Sequence, residues 1–409
     1  KLFDKDGNFI ANVLPGYDDL NWNKAMERTG YRQDYNISTD IATEKYDFFA
    51  SMGYLKEQGY TINSDFDRFS ARLNANVRPT KWFKAGVSLN GAISKNNYSE
   101  GASEGGALYA NPFYQTMMMA PVFPIYKHNT DGSIVIGPDG DKVYNLHIGG
   151  AGDYLNDRHI IYEMKNDFDR KNRNTLSGQA YGTVMFLKDF EATAKGDIYT
   201  YNQNRVRFNN TNVGDGSANN GRLFSYDTRL REYRFSQEIM WKHDFKLHHI
   251  DVLLAHESYK LTNSYNQYSK TNMMLEGNTQ GANFAETTGA TGSEDNYTTE
   301  SYLGRARYNY SSKYYVDFSF RRDASSRFKD PWGNFWSIGG SWIVSDEKFM
   351  KPLRWVNSLK LRASYGEVGN DQSAAYYAYQ ALYLADTNAH QGAYIKSQLA
   401  NPLLKWEKS

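Results

Sequence analysis

Histidines and carboxylates are the residues of this chain whose types could bind a metal or move protons. His248 and His249 are adjacent, so on a strand their side chains point to opposite faces and cannot share one ligand. His159 and Glu163 are four residues apart, which aligns two side chains on a helix, but a single pair makes a weak site. No HExxH pattern accompanies them. We therefore predict no metal centre at these histidines.

Three aspartates suggest calcium, because calcium prefers clustered oxygen ligands. Asp131 lies in NTDGS, and Asp139 and Asp141 lie in GPDGD. Both stretches fit ordinary Asp-Gly hairpin turns, and the carboxylate spacing of an EF-hand is absent. We interpret the three residues as parts of turns and expect no cofactor.

The patterns of common enzyme classes are also missing from the sequence. It contains no P-loop and no G-x-G-x-x-G dinucleotide motif. The absence of cysteine excludes disulfides, thiol catalysis and cysteine zinc sites. Among 46 acidic residues, no pair is singled out for glycoside hydrolysis. The net charge of +1 gives no reason to expect a nucleic-acid partner. The sequence predicts a protein that is not an enzyme.

The elements that must position any functional residue are strands. In Ser301–Asn370, small, apolar or aromatic residues alternate with polar ones on both sides of the short stretch Ser311–Lys313. A period of two predicts strands with two different faces, and two such runs joined by three residues predict a hairpin. Similar alternation elsewhere predicts roughly twelve strands of about 10–13 residues, close to the length of a tilted membrane strand.

The connections between these strands alternate in length. Short turns are predicted near Ala42, Arg78, Lys188, His243 and Ser311. Long external loops are predicted at residues 95–173, 202–229, 263–299 and 367–404. Candidates for an aromatic girdle beside the short turns are Tyr308, Tyr310, Tyr314 and Trp342. This sidedness and a 15% aromatic content predict an all-β fold, an antiparallel up-and-down transmembrane β-barrel. The sequence contains no run of 18 apolar residues, so it predicts no membrane-spanning helix.

The chain divides into two parts. Residues 1–30 are predicted to be a polar lead-in, and residues 31–409 to form the barrel. Within the lead-in, Asn21–Arg28 is predicted to form a short helix capped by Asp18 or Asp19.

Three aromatic residues of the longest predicted loop are candidates for contact with a substrate or partner. They are Tyr109, Phe113 and Tyr114. Aromatic faces suit both sugar rings and a protein surface. The alternative is that these side chains pack within the loop itself.

Three arginines are predicted to face the lumen of the barrel. Arg305, Arg307 and Arg321 fall on the polar phase of their strands. They would either contact a substrate or plug, or form cross-strand ion pairs with residues such as Asp317.

Several long motifs resemble one family. Phe335–Asp371, FWSIGGSWIVSDEKFMKPLRWVNSLKLRASYGEVGND, is similar to a signature block of the SusC/RagA family, the TonB-linked outer-membrane transporters of Bacteroides-type bacteria. Gly30–Val77 resembles the first barrel strands of that family, and the terminal Asn401–Ser409 matches in kind. The resemblance covers the chain from about Asn21 onward.

The resemblance implies a barrel of about 22 strands filled by a plug. This chain would be a fragment of that barrel without the plug and the C-terminal strands. It further implies import of glycans or peptides across the outer membrane, energy from TonB and a SusD-like surface lipoprotein as a lid. Outer-membrane lipid and an oligosaccharide or peptide substrate would be the other partners. Two alternatives remain, a passive porin-like channel or adhesin, and a soluble all-β carbohydrate-binding protein.

Overall fold

One antiparallel sheet dominates the chain. The computed structural model describes residues 4–8, 17–98, 111–147, 158–353, 355–388 and 391–409. Within these ranges the sheet contains twelve strands, and each strand pairs with the next one along the chain. The strands are β1 (Tyr31–Ala42), β2 (Tyr46–Gln58), β3 (Asp65–Thr80), β4 (Phe83–Tyr98), β5 (Phe168–Phe186), β6 (Phe190–Asn209), β7 (Arg222–Phe245), β8 (His248–Met273), β9 (Phe284–Tyr310), β10 (Tyr314–Ser325), β11 (Trp332–Ile343) and β12 (Lys360–Gly366). The predicted all-β, up-and-down order is confirmed.

Smaller elements lie outside this sheet. The helices are α1 (Trp22–Met26), α2 (Pro112–Met118) and α3 (Ile160–Asn166). Short 3-10 turns cover Gly214–Asn219, Gly281–Asn283, Val344–Asp346 and Lys348–Met350. Two small sheets pair β13 (Gly369–Asn370) with β16 (Glu407–Lys408), and β14 (Leu382–Asn388) with β15 (Gln391–Gln398). The predicted loop 367–404 therefore has secondary structure of its own. No helix in the described ranges has the length and apolar character to cross a membrane.

The predicted cap of α1 is wrong. The side chain of Asn21 accepts a hydrogen bond from the backbone N–H of Lys24, so Asn21 is the N-cap. Asp19 bonds instead to the distant residues Tyr126 and His128. A local capping pattern does not show such a competing tertiary partner.

The sheet has two edges with different connections. We call one the turn edge, with connections at residues 43–45, 81–82, 187–189, 246–247, 311–313 and 344–359. We call the other the loop edge, with connections at residues 59–64, 99–167, 210–221, 274–283 and 326–331. The five predicted short turns all lie at the turn edge. The connection at 344–359 is much longer than the other connections of that edge.

The central strands are longer than predicted. β6 and β7 extend through most of residues 202–229, and β8 and β9 through most of residues 263–299, so the two loops predicted there are wrong as drawn. On β8, one face carries Ile250, Val252 and Leu254 and then continues with polar residues as far as Asn266. Once both faces are polar the alternation disappears, although the ladder of backbone hydrogen bonds continues. Sequence pattern alone therefore ends these strands too early.

The two faces of the sheet differ in chemistry. On one face, which we call the apolar face, large side chains such as Ile37, Leu254 and Phe318 are 72%, 59% and 44% exposed. The opposite polar face carries residues such as Asn74, Ser88 and Asp317, in the alternating phase. Large apolar side chains left uncovered over a whole sheet face indicate a surface that meets an apolar medium.

Backbone strain in the β9–β10 turn gives a first prediction. Ser311 and Ser312 have φ values of 54° and 56°, in the left-handed region that glycine adopts without penalty. We expect Ser312→Gly to stabilise the folded chain by about 1 kcal/mol, since an L-residue there costs roughly 1–2 kcal/mol. Urea unfolding of the membrane-reconstituted protein measures the change.

The matched control is Ser345→Gly, in the 3-10 turn Val344–Asp346. Its backbone is not left-handed, so added chain freedom should lower stability. A loss of stability in both variants would contradict the strain argument.

Candidate functional site

The polar face of the sheet carries the three predicted arginines. Arg305 and Arg307 on β9 and Arg321 on β10 share this face, as the alternation predicts. Asp251 and Asp317, on the two neighbouring strands, lie directly opposite Arg307. The pairing register therefore surrounds an exposed guanidinium with carboxylates on both sides.

Arg321 is held by contacts to other residues of the sheet. Its Nε donates to Asp323 Oδ1 over 2.7 Å, and its Nη2 donates to Ser301 Oγ over 3.0 Å. Asp323 is buried, so its carboxylate depends on this cation. Whether the arginines also contact a substrate stays a prediction.

A cavity of about 590 Å³ adjoins Arg321 near the loop edge. Its polar lining includes Ser301, Ser319 and Ser337, and its aromatic lining includes Phe335 and Trp406. The Trp406 ring meets Phe335 edge-on at 5.3 Å, and its indole N–H donates to the carbonyl of Pro331. Hydroxyls, a guanidinium and aromatic rings can recognise either sugar hydroxyls or peptide groups, so this lining does not choose between them.

The loop edge carries a compact structure that we call the loop cap, formed by α1, α2, α3 and residues 119–144. Its apolar core joins Trp22 and Met26 of α1 to Met119, Ile125, Ile160, Ile161 and Met164. The indole N–H of Trp22 donates to the carbonyl of Phe123 over 2.9 Å. The i and i+4 spacings of Trp22 with Met26 and of Ile160 with Met164 are sequence signals for this core, and the core was not predicted.

The structure describes two of the three residues of the predicted aromatic site. Tyr109 lies outside the described residues. Phe113 packs against the core of the loop cap and meets the Tyr60 ring at 6.1 Å, while Tyr114 is half-buried. The most exposed apolar side chain of α2 is Met117, at 76%. Phe113 therefore contributes to loop packing, and the accessible surface of α2 is centred on methionine.

A buried histidine ties the residues before α1 to the loop cap. His128 Nε2 lies 2.9 Å from Asp19 Oδ1, and His128 Nδ1 lies 2.9 Å from the carbonyl oxygen of Gly132. The ring of Tyr17 stacks on the imidazole at 3.9 Å. Both ring nitrogens lie within hydrogen-bond distance of oxygen atoms, so the imidazole links Asp19 to the carbonyl of Gly132.

The pair His159 and Glu163 caps a helix. His159 is the N-cap of α3, and its Nδ1 accepts from the backbone N–H of Tyr162. Its Nε2–H donates to the carbonyl of Ile125 over 3.0 Å. Burial lowers the pKa of His159 to about 4, so the ring stays neutral. Glu163 Oε1 accepts from the His159 backbone N–H and Glu163 Oε2 from Arg158, so both residues serve structure.

Asp167 lies at the end of α3 beside a second polar cluster. It accepts hydrogen bonds from Asn209, from the side chain of Asn210 and from the Asn210 backbone N–H. Burial raises the pKa of Asp167 to about 7, although these donors oppose the shift. A cleft of about 450 Å³ opens here, lined also by Arg170 and Glu276. Sequence reasoning did not find this cluster, because its members are far apart in the chain.

The other residues considered as metal ligands serve as turns or surface contacts. Asp131 accepts from the backbone and hydroxyl of Ser133, and Asp139 accepts from the Asp141 backbone N–H. His249 contacts Asp244 across the β7–β8 turn. Within the described residues, no group of three or more histidines and carboxylates could hold a metal ion.

A belt of rings, stacked or tilted against one another, follows the turn edge on the apolar face. Neighbouring ring centroids are 4.9 to 6.3 Å apart from β5 to β11. The members are Phe186, Phe190, Trp241, His243, Phe245, His248, Tyr310, Tyr314 and Trp342. Three of the four predicted girdle residues are in this series, and Tyr308 also meets the His248 ring. We call this series the aromatic belt.

Curated relatives match nearly the whole chain. Over 98% of its length it is 25% identical to TonB-dependent receptor P3 of Formosa agariphila. Over 96% it is 25% identical to TonB-dependent receptor SusC of Bacteroides thetaiotaomicron. Both relatives are TonB-dependent receptors, and the chain is similar to them over nearly its whole length. It spans 39% and 40% of the length of these two receptors. No protein-family model matches it.

Solved structures agree with this relationship at the level of fold. The RagAB peptide transporter superposes with a TM-score of 0.71 at 22% identity, over 95% of this chain and 42% of that chain. The RagAB peptide importer in its "open-open" state gives a TM-score of 0.70 at 21% identity, with the same coverage. The twelve-stranded sheet therefore has the fold of the matching part of the RagAB barrel.

The raised pKa of Asp167 gives a second prediction. Between about pH 4 and pH 7, folded Asp167 keeps a proton that the unfolded chain has released, so its contribution to stability is lost as pH rises through the folded pKa of about 7. We expect Asp167→Asn to remove this loss. Relative to wild type, the variant should gain up to about 4 kcal/mol between pH 4 and pH 8.

Hydrogen exchange of the α3 amides across this pH range measures the effect. His159 acts in the opposite direction, losing stability as pH falls from 6.5 towards its lowered pKa of about 4, and it is present in both proteins. The matched control is Asp139→Asn in an exposed turn, which should leave the pH profile unchanged. Parallel profiles for wild type and Asp167→Asn would contradict the assignment.

Proposed function

We propose that this chain forms part of the wall of an outer-membrane, TonB-dependent importer, with residues 1–30 as the lead-in and residues 31–409 as wall and loops. The observation that carries the proposal is the two-faced sheet. One face is apolar, uncovered and bordered by the aromatic belt, while the other carries Arg305, Arg307 and Arg321. An apolar exterior, a polar interior and an aromatic girdle are the features of a membrane barrel.

The proposed activity is transport, with no catalytic step. The polar face would line the passage, and TonB would supply the energy for opening it. The cavity beside Arg321 offers hydroxyl, guanidinium and aromatic groups to a passing oligosaccharide or peptide. The curated relatives are TonB-dependent receptors, and the solved neighbour is a peptide transporter, which supports import over catalysis.

The proposed partner at the loop edge is a SusD-like surface lipoprotein. The loop cap offers it α2, with Met117 and Met118 uncovered and Tyr114 half-buried beside them. Tyr109, Phe113 and Tyr114 remain the proposed contacts from the sequence. Outer-membrane lipid would surround the apolar face. The proposed location is the outer membrane of a Bacteroides-type bacterium, with no role for nucleic acid.

Uptake in living cells tests the proposed transport. Fluorescent oligosaccharide and peptide mixtures are supplied to wild-type cells, to cells without this gene and to cells without TonB. Loss of uptake of the same compound in both mutants is expected. Uptake that needs the gene but survives loss of TonB would favour a passive channel instead. Surface binding without any uptake would favour an adhesin.

Two neighbouring residues of β5 test the orientation of the wall. Ala180 lies on the apolar face, and Gln179 lies on the polar face, where its Nε2 donates to Asp197. Ala180→Lys should cost about 2–4 kcal/mol of folding stability in a bilayer, because it brings a charge into lipid. Gln179→Lys should be tolerated, since the new ammonium can pair with Asp197. Folding yields in lipid vesicles measure both, and equal yields would contradict the orientation.

The uncovered end of α2 tests the lipoprotein contact. Met117→Asp should lower the recovery of the lipoprotein with the purified receptor at least tenfold, because it brings a charge into an apolar contact. Ile136→Asp is the matched control, since Ile136 is 56% exposed in the same connection but pairs with Lys142 outside α2. Unchanged recovery with Met117→Asp would remove α2 from the interface.

A further inference from the structure

The connection between β11 and β12 is the exception at the turn edge. Residues 344–359 contain two 3-10 turns, Val344–Asp346 and Lys348–Met350, whereas the other turn-edge connections are two or three residues long. The connection begins where Ile343 N–H donates to the carbonyl of Lys313, beside the β9–β10 turn. It therefore starts at the level of the aromatic belt.

A single carboxylate fixes this connection to the belt. Glu347 Oε1 accepts from the hydroxyl of Tyr314 over 2.6 Å and from the indole N–H of Trp342 over 3.3 Å. Its other oxygen lies 3.4 Å from Lys313 Nζ. These bonds lower the pKa of Glu347, with Tyr314 as the first cause, so the contact persists at neutral pH. Glu347 therefore joins the start of the connection to the belt.

The connection continues the belt with rings of its own. Phe349 meets the Trp342 ring edge-on at 6.3 Å and is 62% exposed. Further along, Leu353 is 41% and Trp355 is 79% exposed. Large apolar side chains that stay uncovered on an anchored segment need an apolar or interfacial environment. Tryptophan and phenylalanine are typical of the boundary between headgroups and acyl chains.

Cations lie between these apolar side chains. Lys348 and Lys351 are both exposed and alternate along the chain with Phe349 and Leu353. Rings that enter the acyl boundary, with ammonium groups beside them, match a surface of apolar chains and negatively charged phosphates. A protein partner would supply no such regular layer of anions beside an apolar layer.

We propose that the β11–β12 connection is a membrane-interface anchor that binds anionic phospholipid in the leaflet at the turn edge. Phe349, Leu353 and Trp355 lie in the boundary of the acyl chains, and Lys348 and Lys351 bind headgroup phosphates. The proposal rests on the proposed function, because it requires the sheet to stand in a bilayer. Beyond that function, it assigns a specific lipid contact to a connection that lies outside the twelve-stranded sheet.

Fluorescence quenching by lipid tests the position of Trp355. The full-length receptor is reconstituted into vesicles of phosphatidylethanolamine and phosphatidylglycerol, with or without brominated acyl chains. The signals of Trp355 and Trp342 are obtained as differences between wild type and the variants Trp355→Phe and Trp342→Phe. Brominated lipid is expected to quench both signals, and iodide in the buffer is expected to quench neither strongly.

The two tryptophans separate two kinds of failure. Quenching of Trp342 but not Trp355 by brominated lipid, with Trp355 open to iodide, would overturn the anchor and leave the barrel wall intact. Failure of lipid to quench either signal would overturn the proposed membrane wall itself.

The choice of lipid tests the two lysines. Brominated phosphatidylglycerol should quench Trp355 more strongly than brominated phosphatidylethanolamine, from a local enrichment of up to about fivefold per lysine. The double variant Lys348→Gln/Lys351→Gln should lose this preference, while Lys405→Gln near the loop edge should keep it. A preference unchanged in the double variant would overturn the assignment of these lysines to the headgroups.

Discussion

Backbone groups in an apolar medium must find hydrogen-bond partners within the protein, and the rest of this structure depends on that constraint. Pairing each strand with the next one along the chain satisfies it with short connections at one edge. The pairing then forces alternate side chains to opposite faces, which gives an apolar face and a polar face. Arg305, Arg307 and Arg321 share the polar face for this reason, and their neighbours across the ladder follow from register.

The sequence predicts this plan where the two faces differ, and it fails where they become alike. The strands near the turn edge were predicted closely, because apolar and polar residues alternate there. The upper parts of β6 to β9 were interpreted as loops, because their two faces are both polar and alternation carries no signal. The sequence pattern predicts that Arg321 lies on the polar face. It does not predict the partners Asp323 and Ser301, because several polar residues share that face with Arg321.

The loop cap shows a different limit of local pattern. Its buried polar groups are hydrogen-bonded across long chain separations, as between Asp19 and His128 and between Asp167 and Asn210. Such pairs repay the loss of water only when the geometry is good, so they specify one arrangement of the cap more than they add stability. Only the tertiary structure brings these residues together, and no spacing in the sequence predicts these pairs.

The length of the central strands has a consequence for the proposed importer. At about 3.3 Å per residue, β8 and β9 rise well beyond the thickness of a hydrocarbon core of about 30 Å. Their paired upper parts form a stiff collar, and the cleft beside Asp167 stands at its rim. In the proposed importer, this height would hold the cleft beside Asp167 at a distance from the lipid. An arriving molecule would then meet the collar before it meets the membrane.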